Sequence, residues 1–162
     1  MYREILTKAI IAKGYKAIID NHTFETHNNI SKVLGCWIIN HHHEVYILNQ
    51  KVYIKGCYEA NLWYGYDDNS KSTLLNKTFE FNDEIPYNFA LEKSVLSEKN
   101  ELIDYVDLEP SCSKMSFDSD KLLINIERSY KVDIIGETKI KIKIDDVIID
   151  EMINTNYVNE DK

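Results

Sequence analysis

Apolar and polar residues alternate with a period of two along most of this chain, the spacing of strands that bury one face and wet the other. Across residues 121–135 the even positions Leu122, Ile124, Ile126, Tyr130, Val132 and Ile134 are apolar, and the odd ones are mainly Lys, Asn, Glu, Ser and Asp. Arg128 interrupts the apolar series once, which suggests a bulge there. Gly136 then breaks the run, and Thr138, Ile140, Ile142 and Ile144 alternate with Glu137, Lys139, Lys141 and Lys143. The two runs predict an antiparallel hairpin or consecutive strands. In 51–66, Val52, Ile54, Tyr58, Ala60, Leu62, Tyr64 and Tyr66 share one face, and the run ends at the turn cluster Asp67-Asp68-Asn69-Ser70. Further strands are predicted near Thr73 to Phe81 and near Glu101 to Leu108, the first followed by a break at Pro86 and the second closed by Glu109-Pro110. Asp118-Ser119-Asp120 supplies a turn before the long strand.

The first segment is different. Between Glu4 and Lys13, Ile5, Ala9 and Ile11 occupy one parity, while Leu6, Ile10 and Ala12 occupy the other. As a strand it would be apolar on both faces; i, i+4 spacing also fits a helix. The β-branched content and Gly14 favour the strand. Several strands separated by turn signals predict a mainly β fold, an antiparallel β-sandwich or open barrel. The parse is one β domain over 1–144 and a short acidic C-terminal tail over 145–162, with room in the tail for one helical turn. Six carboxylates against Lys162 put −5 of the net −8 in that tail.

The chain has 162 residues, 44% apolar and 28% charged, enough for one self-supporting core. An acidic balance disfavours nucleic acid, because phosphates require a basic patch. The uncharged apolar run Val33 to Ile39 is too short to insert in a membrane, and the start lacks the pattern of a secretory signal. The expectation is a cytoplasmic product.

Candidate chemistry is sparse. No G-x-G-x-x-G, Walker A, G-x-S-x-G or H-E-x-x-H motif occurs, so neither a catalytic residue nor a cofactor is predicted. Carboxylate neighbours such as Asp67-Asp68, Asp83-Glu84 and Asp145-Asp146 are read as solvated turns or tail. Cys36, Cys57 and Cys112 form no C-x-x-C pair and are read as buried reduced thiols, and no metal site is predicted. His41, His42 and His43 are read as a solvated loop, since adjacent side chains rarely converge on one ion. Trp37, Trp63, Tyr53, Tyr58, Tyr64 and Tyr66 lie on or near two strands; most belong in a core. Tyr53 and Trp63 fall on the polar parity and are the surface candidates, which leaves a carbohydrate-binding sandwich as the alternative function.

Several stretches carry a family resemblance. Tyr2-Arg3-Glu4-Ile5-Leu6-Thr7-Lys8-Ala9, Ala12-Lys13-Gly14 and Leu34-Gly35-Cys36-Trp37-Ile38-Ile39-Asn40-His41 resemble the N-terminal part of CotE, the outer spore-coat morphogenetic proteins of endospore-forming Firmicutes. Val52-Tyr53-Ile54-Lys55-Gly56-Cys57-Tyr58, Leu62-Trp63-Tyr64-Gly65-Tyr66, Asp68-Asn69-Ser70-Lys71-Ser72, Glu127-Arg128 and Ile135-Gly136-Glu137-Thr138-Lys139 continue it at consistent spacing. The resemblance implies a non-enzymatic scaffold made in the mother-cell cytoplasm that becomes part of the outer spore coat. It implies multimers around the forespore, recruitment of other coat proteins, and dependence on the basement-layer morphogenetic ATPase. Family members usually end in a long acidic tail, and this tail is short. For assembly, a β domain with exposed edge strands can add like strands from a neighbour and polymerise when the symmetry does not close. The first segment, with Ile5, Leu6, Ala9, Ile10 and Ile11, is the candidate edge or exchanged strand, so deleting residues 1–13 is expected to leave a folded but unpolymerised domain. Cys36, Cys57 and Cys112 are the candidate cross-linking thiols of the finished layer.

Overall fold

The computed structural model describes residues 1–90 and 95–144. The tail and its helical turn, and with them the boundary of the domain, lie outside the described residues. Among the described residues seven strands follow one another: β1 (Tyr2–Glu25), β2 (Ile30–Leu48), β3 (Lys51–Tyr66), β4 (Lys71–Ile85), β5 (Tyr87–Phe89), β6 (Glu101–Asp118) and β7 (Lys121–Lys143). They form a four-stranded sheet in the order β5-β1-β7-β6 and a three-stranded sheet in the order β2-β3-β4, with every pairing antiparallel. Among the described residues neither sheet closes, so the fold is the sandwich and not the barrel. The turns obey their chemistry. Asn49 and Gln50 take positive φ in the two-residue β2–β3 turn, and Asp67, Asp68 and Asn69 do so between β3 and β4.

Alternation places the core as expected on β3 and β7. Val52, Ile54, Tyr58, Ala60, Leu62 and Tyr64 face Leu122, Ile124, Ile126, Tyr130, Val132 and Ile134 across the interlayer, all buried. The predicted break at Gly136 does not occur: β7 runs unbroken for 23 residues, with Gly136 paired to Ala9. A Cβ at Gly136 would sit 2.8 Å from the Ile11 side chain, so this glycine serves close packing and not a turn. Nor does β6 stop at Glu109-Pro110. It continues to Asp118, with its register against β7 shifting between Leu108 and Ser111. As the outer strand of its sheet, β6 tolerates a proline, and the bulge absorbs the missing N–H.

Residues 4–13 are strand. Their two apolar parities come from a register shift between Ile10 and Ala12. The shift brings Ile11 (7% exposed) and Ala12 (0%) into the core together. Ile5 and Ala9 share the inward side before it, Gly14 and Ile18 after it. The predicted bulge at Arg128 is likewise absent from β7, whose parity runs unbroken through that residue. Arg128 points inward and divides the core in two. Tyr130, Val132 and Ile134 pack on one side with Ile47, Val52 and Ile85, while Leu122, Ile124 and Ile126 pack on the other with Ile30, Tyr58 and Leu62.

Candidate functional site

Two features stand out from the ordinary sandwich: a buried polar centre and a two-stranded arm. The centre is built on Arg128, 1% exposed. Its Nε donates to Asp20 Oδ2 at 2.8 Å and its Nη2 to Asp20 Oδ1 at 3.2 Å, so β1 grips it from within its own sheet. Across the interlayer Nη2 donates to Asp83 Oδ2 on β4 at 2.7 Å, and the guanidinium lies 3.9 Å over the Phe81 ring. Nη1 has no hydrogen-bond partner among the described residues. Tyr58 Oη donates to Asp20 Oδ2 at 2.8 Å and lies 3.0 Å from His22 Nε2, while the His22 ring stacks on Phe79 at 3.7 Å.

The histidine run belongs to this centre, which corrects its reading as a solvated loop. It lies within β2, where Asn40 takes positive φ and the register slips between Ile39 and His42. His41 Nε2 lies 3.0 Å from Tyr130 Oη and its Nδ1 2.9 Å from Glu109 Oε2. His43 bonds the Asp104 carboxylate, and His42 faces solvent. Asp83, read as a solvated turn residue, is a strand residue paired with a buried cation.

Electrostatics keep the centre in one charge state. Burial opposes ionisation of the Asp20 carboxyl, but hydrogen bonds from Arg128 and Tyr58 override it and hold its pKa below the usual range. Burial likewise opposes the charge on Arg128, and its bonds to Asp20 and Asp83 prevail, so it stays a cation. Burial pushes the Tyr130 phenol up to about 12 and lowers both His22 and His41. Apart from Arg128 Nη1, these groups bond one another between the two sheets. The arrangement fastens the two sheets together at a defined register.

The arm is the other feature. Past Ile135, where β6 begins, β1 and β7 pair with each other alone among the described residues, from Tyr2↔Lys143 to Ala9↔Gly136. Eight residues at about 3.3 Å each give a ribbon roughly 26 Å long. One face carries the pairs Ile5–Ile140, Arg3–Ile142 and Thr7–Thr138 and continues the inward side of the sheet beyond the strands that cover it. Ile5 is 38% and Ile140 43% exposed. The opposite face carries Glu4, Lys8, Glu137, Lys139 and Lys141 around Leu6 and Ile10. Among the described residues the outer edge of β1 pairs with β5 only at Ala12–Gly14, flanked by bonds from Ala90 N–H to the Ile11 carbonyl and from Tyr15 N–H to the Pro86 carbonyl, so the rest of that edge of the 24-residue strand has no strand partner among them.

The candidate residues separate accordingly. Ile5, Leu6, Ala9 and Ile10 lie on the arm or at its base, whereas Ile11 is core. Deleting 1–13 therefore removes Ile11 and Ala12 along with the arm and does not isolate the edge. Tyr53 and Trp63 do share the outer face of β3, but ten residues of strand separate them by about 33 Å, too far for one stacking platform. Tyr53 stacks on Tyr46 at 5.3 Å, while Trp63 stands opposite Gly35, two residues from the exposed Trp37. Cys36 and Cys112 meet across the sandwich, half-buried, and Cys57 lies apart on the outer face between His42 and Glu80.

Fold and site define an all-β sandwich that is crossed by a buried ion cluster and, among the described residues, carries an open-edged ribbon. The chain belongs to the outer spore coat protein E (CotE) family, whose model matches residues 1–162, the whole chain. It is thus a protein of the outer spore coat, in a structural family. No curated protein and no solved structure matched it.

Proposed function

We propose that this protein is a non-enzymatic morphogenetic scaffold that self-assembles through its arm. The observation that carries the reading is the ribbon Tyr2–Ala9 with Gly136–Lys143. It exposes an apolar face and lies on a strand whose outer edge is largely unpaired among the described residues. Such an edge is a template for another strand, and the part-exposed Ile5–Ile140 face is what a neighbour's arm would bury. A second copy supplies matching backbone groups and a matching face, and contacts that do not close yield sheets or fibres. In this role the protein is made in the mother-cell cytoplasm, meets the forespore through the basement-layer morphogenetic ATPase, and holds other outer-coat proteins in place.

The test compares the natural chain with Ile5→Lys/Ile140→Lys by light scattering and negative-stain microscopy over a concentration series. Both positions are part-exposed on the ribbon beyond the core, so the circular dichroism should be unchanged and the thermal midpoint should fall only slightly, from the two opposed lysines, while large assemblies disappear. Assembly that persists unaltered in a folded double variant would remove the arm from the mechanism. A monodisperse natural chain at every concentration would remove self-assembly itself.

A further inference from the structure

β2 and β6 are outer strands of opposite sheets and lie over one another along one side of the sandwich. Their backbones approach within 8 Å in places, closer than the roughly 10 Å of stacked sheets. Cys36 sits on β2 opposite Leu62, just after a register shift between Val33 and Gly35. Cys112 sits on β6 opposite Ile126, just before a register shift between Cys112 and Lys114. Bulges re-aim side chains, and these two turn both thiols onto the rim of the same apolar cluster. There they line one surface depression together with Val33 and Met115. The Cys112 thiol donates to the Lys114 carbonyl at 3.4 Å, and Cys36 faces it across the same depression.

We propose that Cys36 and Cys112 are an oxidisable pair that closes into an intramolecular disulfide, clamping β2 to β6. The oxidant class is a low-molecular-weight disulfide, RSSR. The thiolate of Cys112, once its proton has gone to solvent, attacks one sulfur of RSSR; a mixed disulfide forms and RS⁻ leaves, taking up a proton. Cys36 then loses its proton and attacks the Cys112 sulfur, the protein disulfide forms, and the second RS⁻ leaves as RSH. Two protein thiols are oxidised and one RSSR is reduced to two RSH. Burial, and then the neighbouring Cys112 thiol, raise the Cys36 pKa, so Cys36 suits the second, intramolecular step and not the first attack. The clamp lies within one chain and is independent of self-assembly through the arm. It leaves Cys57, on the outer face, as the thiol available between chains.

The experiment treats the full chain with glutathione disulfide over hours, alkylates the remaining thiols with N-ethylmaleimide, and maps peptides by mass spectrometry without reduction. The expected result is a Cys36–Cys112 linked peptide in monomeric protein, with Cys57 alkylated or carrying glutathione and the thermal midpoint raised relative to the reduced chain. Cys57→Ser should keep the link; Cys36→Ser and Cys112→Ser should each abolish it while leaving the circular dichroism of the reduced protein unchanged. Alkylation of Cys36 and Cys112 after prolonged oxidation would overturn the proposal. So would glutathione adducts on Cys36 or Cys112 that never resolve, or links found only through Cys57 or only between chains.

Discussion

Replacing Arg128 with methionine keeps most of the side-chain volume and deletes the charge on which the interlayer is organised. The cost depends on the groups left behind. Asp20 and Asp83 retain their carboxylates, with side chains only 20% and 28% exposed. Each loses its cation and at least one short hydrogen bond. Removing one partner of a buried ion cluster typically costs about 3–5 kcal/mol, most of it the uncompensated charge that remains. At roughly 2–4 °C per kcal/mol for a chain of this size, the thermal midpoint should fall by roughly 6–20 °C. The stranded charges also offer a rescue. Adding Asp20→Asn and Asp83→Asn to Arg128→Met removes them, so the triple variant should recover a large part of the loss, although Arg128→Met is its most disruptive change. Urea titration monitored by circular dichroism, in the arm-disrupted background to keep the protein dispersed, measures the parent and the variants alike. An Arg128→Met cost under about 1 kcal/mol, or a triple variant no more stable than the single, would show that the cluster does not fasten the sheets.

The same centre makes stability depend on pH. His22 and His41 are pushed below their ordinary value of 6.5, chiefly by burial, so below that pH the unfolded chain takes up protons that the folded one refuses. Stability is therefore complete above 6.5 and declines as the pH falls. His22→Gln and His41→Gln should each flatten the curve of thermal midpoint against pH on the acid side of 6.5, and an unchanged slope in both would refute the assignment. Gly56 tests the bulge that carries the histidines. A Cβ there would stand 2.0 Å from the His42 carbonyl oxygen and 2.8 Å from the Phe81 ring. Gly56→Ala should cost roughly 1–3 kcal/mol or more in urea denaturation, because backbone must move; an unchanged midpoint would count against this packing.

Much of the fold is legible from period two alone, because a strand half-buried against another sheet has no other way to sort its side chains. β3 and the first part of β7 show this residue by residue, from Val52 to Tyr64 and from Leu122 to Ile134. Alternation could not reveal the places where parity changes without a turn residue to announce it. The slip between Ile39 and His42 carries His41 inward, and the slip at Ile11 turns one inward face into two apparent apolar parities. The arm was illegible for a different reason, since its exposure depends on where the covering strands end, a tertiary fact absent from β1 and β7 themselves. Arg128 is the instructive case. It lay on the buried parity, between Ile126 and Tyr130, and the alternation resumed in phase beyond it. A bulge would have shifted that phase, so unbroken phase already required a buried guanidinium. A buried guanidinium in turn requires carboxylates on inward parities of neighbouring strands. Asp20, in phase with Ala12, Gly14 and Ile18, and Asp83, in phase with Phe79, Phe81 and Ile85, meet that demand. An interruption in a hydrophobic pattern that leaves its phase intact thus points to a buried ion cluster and names the positions where its partners must lie.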